Sequence, residues 1–314
     1  MSVVDVAMVG RLGTEALAAT GMGSMIFWGA LSLAIGIRTA VQTVTARRLG
    51  QGLHKESGVA LRNGLALATL YSLPVSIFVW RYSDSLARFF IKDPSATPLT
   101  TDYVSIVFTG LLFSSYSFVF QGFFTGIEKT KIHMKVTITS NVLNVYLNAG
   151  LIYGSSGVQE FFNEQLSILS FLSYLWTWAN FPALGVKGAA IGTLISSFWM
   201  TAHYAVSLLS KQTSKRYSVL LFSFDREMMK RQVQLALPQG LQESVIALGW
   251  GVFYKIVGII GLVELATQNC SLQLCMRHLC PLWELGRHAQ RSLVNTWGKA
   301  VLKSLRLALE NQYV

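Results

Sequence analysis

ALAATGMGSMIFWGALSLAIGIRTAVQTV, residues 16–44, carries a single charged side chain, Arg38, and is closed by Arg47 and Arg48. A helix needs about 20 apolar residues to cross roughly 30 Å of hydrocarbon, so this run is long enough to span a bilayer. Comparable runs follow at 60–80, 102–125, 133–153, 185–210 and 232–262, with a short one at 1–10. Their apolar character is sustained rather than alternating, which fits helices and not the strands of a membrane barrel. Composition agrees. With 52% hydrophobic residues, 13% charged residues and a mean hydropathy of +0.45, the chain is too apolar for a soluble domain of ordinary usage. The reading is an all-α polytopic membrane protein of seven segments, with the lipid bilayer as its solvent.

A net charge of +11 would suit nucleic acid if the basic residues formed a stripe along one helix. They fall instead in alternate loops: Arg47, Arg48 and Lys55; Lys129, Lys131 and Lys135; Lys211, Lys215, Arg216, Arg226, Lys230 and Arg231. The intervening loops are poorer, with Arg11, then Arg81, Arg88 and Lys92, then Lys187. The positive-inside rule places the rich loops and the N-terminus in the cytoplasm of a multi-pass protein of the cell (inner) membrane. No nucleic-acid partner and no obligate protein partner is expected. Asp5 interrupts the first apolar run and no basic region precedes it, so no cleavable signal is read there. Leu166 to Phe181, with Tyr174, Trp176 and Trp178, is apolar enough to suggest an eighth span. A span there would invert the charge parity, and a surface-lying segment with rings at headgroup level is preferred. No catalytic motif or phosphate loop is present, so no enzyme activity and no cofactor is expected.

The chain repeats itself. Val9-Gly10-Arg11-Leu12-Gly13, then Leu17-Ala18-Ala19, matches Val257-Gly258-Ile259-Ile260-Gly261, then Leu265-Ala266-Thr267, at a constant offset set by Gly10 and Gly258. Duplicated halves mark transporters whose site lies between two bundles. The division that follows is an N-lobe at 1–210 with a shortened first helix, a cytoplasmic inter-lobe linker at 211–231, the first helix of a C-lobe at 232–269, and a tail at 270–314.

At these residues the chain resembles the MATE (multidrug and toxic compound extrusion) family. Val4 to Gly13 (VDVAMVGRLG) is similar to the family's first-helix motif, and Ile35 to Gly52 (IGIRTAVQTVTARRLGQG) to its second helix and following loop. Thr125 to Met134 (TGIEKTKIHM), Asn144 to Gly154 (NVYLNAGLIYG) and Leu184 to Ser196 (LGVKGAAIGTLIS) continue the likeness, in order, to about residue 269. The resemblance implies twelve helices in two six-helix lobes, of which this chain would hold the first lobe and the start of the second. It implies a secondary active transporter exporting organic, often cationic, compounds in exchange for Na⁺ or H⁺. A lipid-linked precursor flippase of the related superfamily and a non-functional fragment are the alternatives.

An ionised group within a membrane helix is expensive and marks an ion site by default, which singles out Asp5. The resemblance gives it the coupling role and pairs it with an Asn-x-x-x-Asp element, read here as Asn144-Val-Tyr-Leu-Asn148. The two asparagines lie one turn apart on one face. The second carboxylate is absent; Asn148 can offer a carbonyl to Na⁺ but cannot carry a proton, and a neutral amide bonding between helices is the competing account. Arg38, Gln42 and Glu243 are the substrate-cavity candidates. Arg38 is expected to pair with Asp5, line the cavity or snorkel to the interface, and Glu243 follows Pro238 by about one turn less than the family pattern implies. Gly122 with Gly126, and Gly185 with Gly188, read as packing faces.

After about Asn269 the character changes: Arg277, His278, Glu284, Arg287, His288 and Arg291 break what should be an apolar helix. Cys270, Cys275 and Cys280 fall here too, and with His278 they fit no standard zinc spacing, so no metal site is expected. Reading the third base of each codon with the first two of the next turns Trp283-Glu284 and Trp297-Gly298 into glycine at 284 and 298, the repeat equivalents of Gly36 and Gly50. With glycine usage near 7%, both matches arise by chance about once in 200. The tail therefore reads as out of frame, against a rival basic helix at 294–310 that would set Lys299, Lys303 and Arg306 against anionic lipid. Sequencing of DNA and transcript across codons 260–314 is expected to show one inserted or deleted base near 265–275; an intact frame would return the tail to the protein.

Overall fold

The structure, a computed structural model, describes residues 2–91, 93–165, 173–178, 180–219 and 225–271. The tail read as out of frame lies outside the described residues from 272 onward, and with it Cys275, His278 and Cys280. Met1–Asn269 forms one compact unit. In chain order it holds α1 (Ser2–Val9), a 3-10 turn (Gly10–Leu12), α2 (Thr14–Gly50), α3 (His54–Phe90), α4 (Ala96–Thr109), α5 (Leu111–Gly126), α6 (Thr130–Gln165), α7 (Tyr174–Thr177), α8 (Val186–Leu209), α9 (Lys211–Tyr217) and α10 (Arg226–Ile260).

Fewer helices qualify as lone spans than the seven segments expected. Among the described residues, α2, α3 and α10 are long and apolar enough to cross a membrane, and α4 with α5, bent by 49° at Gly110, makes a fourth if the pair is one span. At 8 residues α1 rises only ~12 Å. The fifth and sixth expected segments are occupied by α6 and α8, which are long enough but not apolar enough. Their polar side chains are turned inward: Ser140, Asn144 and Asn148 on α6 and Ser196, Ser197 and Thr201 on α8 are all buried. A hydropathy average counts such groups as if they faced lipid.

Gly154, at φ 76° and ψ 168°, breaks α6 into two helices. That conformation suits a residue without Cβ, and it places the break one residue past the expected segment 133–153. The returning chain seals it. Leu184 N–H donates to Leu151 O at 2.9 Å, Ser155 N–H to Phe181 O at 3.1 Å, and Phe181 N–H to Ser155 Oγ at 2.8 Å. The described part of the aromatic segment, 173–178, holds a single helical turn against α6. Trp176 stacks on Tyr146 at 5.1 Å and donates Nε1–H to Tyr146 O, whereas Tyr174 and Trp178 are 73% and 76% exposed.

Contacts gather the basic loops at one end of the bundle. Arg48 pairs with Glu56 at 3.1 Å, Lys129 Nζ donates to Thr213 Oγ1 at 3.0 Å, and Arg216 lies 3.4 Å from His54 Nε2. The segment read as a linker is docked on α3. Arg62 Nη1 donates to Ser218 O at 2.7 Å and Asn63 Nδ2 to Asp225 O at 2.9 Å, and just past the linker Gln232 Nε2 of α10 donates to Ala60 O at 2.8 Å. Lys187 pairs with Asp102 on the poorer set of loops.

The sequence repeat has a structural counterpart. Gly13 separates the 3-10 turn from α2, and its equivalent Gly261 separates α10 from the helical stretch 262–271. Asn269, the equivalent of Gly21, packs on it: a Cβ at Gly21 would lie 2.6 Å from Asn269 Nδ2, which donates to Leu17 O. Between α2 and α10, Ser32 Oγ and Ser244 Oγ are 2.7 Å apart.

On the other side of α2, Gly122 and Gly126 of α5 lie under successive turns. A Cβ at Gly122 would sit 2.5 Å from Arg38 O, and one at Gly126 would sit 2.9 Å from Gln42 O. Close backbone approach of this kind drives helix association where lipid removes the hydrophobic incentive. Gly122→Ala is expected to destabilise the protein by about 1–3 kcal/mol, read as a lower thermal-unfolding midpoint in detergent. Gly50→Ala, which meets nothing within 4 Å, is the control and should change stability by less than about 0.5 kcal/mol.

Candidate functional site

Asp5 on α1 faces α6. Its Oδ1 accepts a hydrogen bond from Asn148 Nδ2 at 2.5 Å. Asn148 is fully buried, and its own Oδ1 has no hydrogen-bond partner and lies against Gly192 of α8. Asn144, one turn earlier on the same face and ~6 Å away along the helix axis, is also fully buried, and neither of its amide atoms is hydrogen-bonded. A buried polar atom left without a partner costs about 1–3 kcal/mol. Asp5 thus bonds one amide whose oxygen is not committed to a protein donor, and a second such amide, Asn144, lies one turn further along α6. Carboxylate and carbonyl oxygens are the ligand types that hard cations prefer.

Other contacts hold this corner in place. Tyr153 Oη donates to Met8 O, tying α1 to α6 a second time. Tyr103 of α4 lies within electrostatic reach of Asp5, with its Oη 3.1 Å from Ser24 Oγ of α2. The Asn148 NH₂ makes the bond between helices, and its buried Oδ1 accepts no hydrogen bond.

The three substrate-cavity candidates are not brought together. Arg38 Nη1 donates to Gln121 Oε1 at 3.3 Å, and its guanidinium lies 5.8 Å from the Phe118 ring. These α5 contacts, rather than Asp5, are the ones described for it. Glu243 accepts from Gln239 Nε2 at 3.3 Å within α10. Gln42 is half-buried, with its carbonyl under Gly126. The physical reason is rotation. Successive residues turn about 100° around a helix, so Ser32 and Gly36 face α10 while Arg38, about 200° on from Gly36, faces α5. A cleft of about 280 Å³ between α2 and α10, lined by Met22, Ile26, Ser244 and Ala247 among others, has none of the three candidates in its wall. Sequence reading also missed Gln121, His133 and Tyr204, which join Arg38 in one cluster. Polar side chains inside otherwise apolar segments were the available signal.

A model of the MatE family matches residues 1–149, a range that holds Asp5, Asn144 and Asn148. The likeness to the MATE family thus covers the first 149 of the chain's 314 residues. A probable multidrug resistance protein NorM from Rhodopseudomonas palustris is 25% identical over 255 residues, covering 81% of this chain and 48% of the relative. A protein of the same description from Synechococcus is 32% identical over 184 residues, covering 58% of the chain and 38% of the relative. The fold matches that of an inward-facing multidrug resistance MATE family transporter of the MOP superfamily, with a TM-score of 0.73 at 22% identity over 89% of this chain and 58% of that one. It also matches a MOP superfamily transporter from Pyrococcus furiosus described as having a binding pocket of reverse polarity that suggests a different function, with a TM-score of 0.71 at 22% identity over 89% of this chain and 56% of that one. The chain thus spans about half the length of the curated relatives it matches, and it is an integral multi-pass membrane protein.

Asn148→Leu keeps bulk and removes the amide that serves Asp5. It is expected to lower stability by about 1–3 kcal/mol in thermal unfolding. Asn144→Leu removes an amide that satisfies nothing and is expected to be neutral or stabilising. Equal losses at both positions would reveal a structural bond at Asn144.

Proposed function

We propose that this chain is part of a MATE-family transporter that exports organic, often cationic, compounds in exchange for Na⁺ or H⁺. Asp5 is the coupling carboxylate, and the oxygens of Asn144 and Asn148 are its neutral ligands. The observation that carries this reading is the Asp5–Asn148 bond beside the unbonded amide of Asn144. A lone carboxylate can take up one proton or neutralise one Na⁺, and Asn148, being neutral, restricts the site to a single such charge. Coupling requires the ion to bind inward and outward states unequally, because equal binding shifts nothing. The names of the relatives, multidrug resistance proteins, support the substrate class. The meeting of Arg48, Lys129 and Arg216 with their partners at one end supports a cytoplasmic placement of that end, and with it of the N-terminus, in the cell (inner) membrane.

The test is dye retention in efflux-deficient cells expressing the chain. Retention below that of empty-vector cells is expected for the wild type, with return to the vector level for Asp5→Asn at equal membrane abundance. Imposed Na⁺ and pH gradients then identify the exchanged ion. Unchanged efflux in Asp5→Asn would remove its coupling role. Translocation of a lipid-linked precursor without dye export would move the protein to the flippase reading, and stable insertion with neither activity would make it a non-functional fragment.

A further inference from the structure

Four helices meet in one hydrogen-bond chain away from Asp5. Arg38 of α2 donates to Gln121 Oε1 of α5 at 3.3 Å; Gln121 Nε2 lies 2.9 Å from His133 Nε2 of α6; His133 Nδ1 lies 2.5 Å from Tyr204 Oη of α8. Thr137 Oγ1 is 3.4 Å from the same Nδ1, and the Tyr204 ring is stacked on the imidazole at 6.3 Å and 7°. Tyr204 is 1% exposed, while His133 is half-buried and within a turn of Lys129, at the end that gathers the basic loops.

Donor and acceptor roles along this chain are determined. A guanidinium only donates, so the amide oxygen of Gln121 must face Arg38. Its NH₂ therefore faces His133, and Nε2 must accept. The imidazole is then neutral with its proton on Nδ1, directed at Tyr204 Oη and Thr137 Oγ1. A proton from water added to the Nε2 lone pair sets N–H against NH₂ at 2.9 Å, two donors with no acceptor. The amide must turn its oxygen to His133, and Arg38 Nη1 then loses that acceptor. The new imidazolium also repels the guanidinium. The charged or titratable groups in contact with the cluster are Arg38 from α2 and Tyr204 from α8; α5 and α6 supply the neutral Gln121 and Thr137, and no carboxylate among the described residues contacts His133.

We propose that His133 is a second protonation site of this protein, separate from Asp5, whose neutral Nδ1–H form latches α2, α5, α6 and α8 together and whose protonation releases the latch. Only the neutral form fits the chain, so protons compete with the latch and acidification opens it. The inference stands apart from the transport reading, since no step of it passes through Asp5.

The experiment uses the full chain in lipid nanodiscs with ¹⁵N-labelled histidine, and His133 is assigned by its loss in His133→Gln. At neutral pH its nitrogens should show the Nδ1–H tautomer. Between about pH 8 and pH 5 they should move to imidazolium positions, while backbone hydrogen exchange in peptides covering 35–45 and 117–135 rises several-fold beyond its intrinsic pH dependence. His133→Gln should abolish that extra rise, and Asp5→Asn should leave it in place. Should His133→Gln fail to fold, Tyr204→Phe identifies the resonance by shifting Nδ1. An Nε2–H tautomer at neutral pH, protonation without a change in exchange, or loss of the step in Asp5→Asn would each overturn the proposal.

Discussion

Hydrocarbon offers no hydrogen bonds, so a polar side chain in a membrane helix must be turned toward protein or leave its atoms unpaired at a cost of about 1–3 kcal/mol. This constraint orients α6. His133, Thr137, Ser140, Asn144 and Asn148 recur every three or four residues and so share one face. Turning that face inward brings Asn148 to Asp5 at one end and His133 to Gln121 and Tyr204 at the other. The position of α8 follows, because Leu184 and Gly185 donate to the Leu151 and Ile152 carbonyls that the break at Gly154 exposes, and Phe181 is bonded to Ser155.

The same constraint makes the exceptions informative. Ser140 and Asn144 are fully buried without hydrogen-bond partners between them. A fold with no use for these groups would gain stability by making them apolar. They share the face of α6 that carries Asn148 to Asp5. The Arg38 chain is the opposite case: its donors and acceptors are matched, and that matching makes it sensitive to one added proton.

Between helices, contact rests on small groups and backbone. α2 is the hub. Arg38 and Gln42 present their carbonyls to Gly122 and Gly126 of α5, Ser32 meets Ser244 of α10, and Gly21 receives Asn269. Because α5 and α10 grip different faces of one straight helix, a rotation of α2 that served one contact would break the other. The repeat is visible in the same helix, with Gly13 and Gly261 breaking the chain at equivalent points.

Hydropathy, charge and the repeat were properties of the chain itself, and they determined an all-helical membrane protein with its basic loops in alternate positions and Asp5 as the exceptional carboxylate. The family motif also marked Asn148 as a member of the same site. Among the described residues, three or four helices rather than seven meet the apolarity a lone span requires, since a sequence average cannot know which polar atoms are hidden. Partner choice was decided only in three dimensions: Arg38 is bonded to a residue 83 positions away and His133 to one 71 away. Which side chains meet depends on the rotation of each helix about its own axis, and that rotation is set by packing between helices rather than by any local property of the sequence.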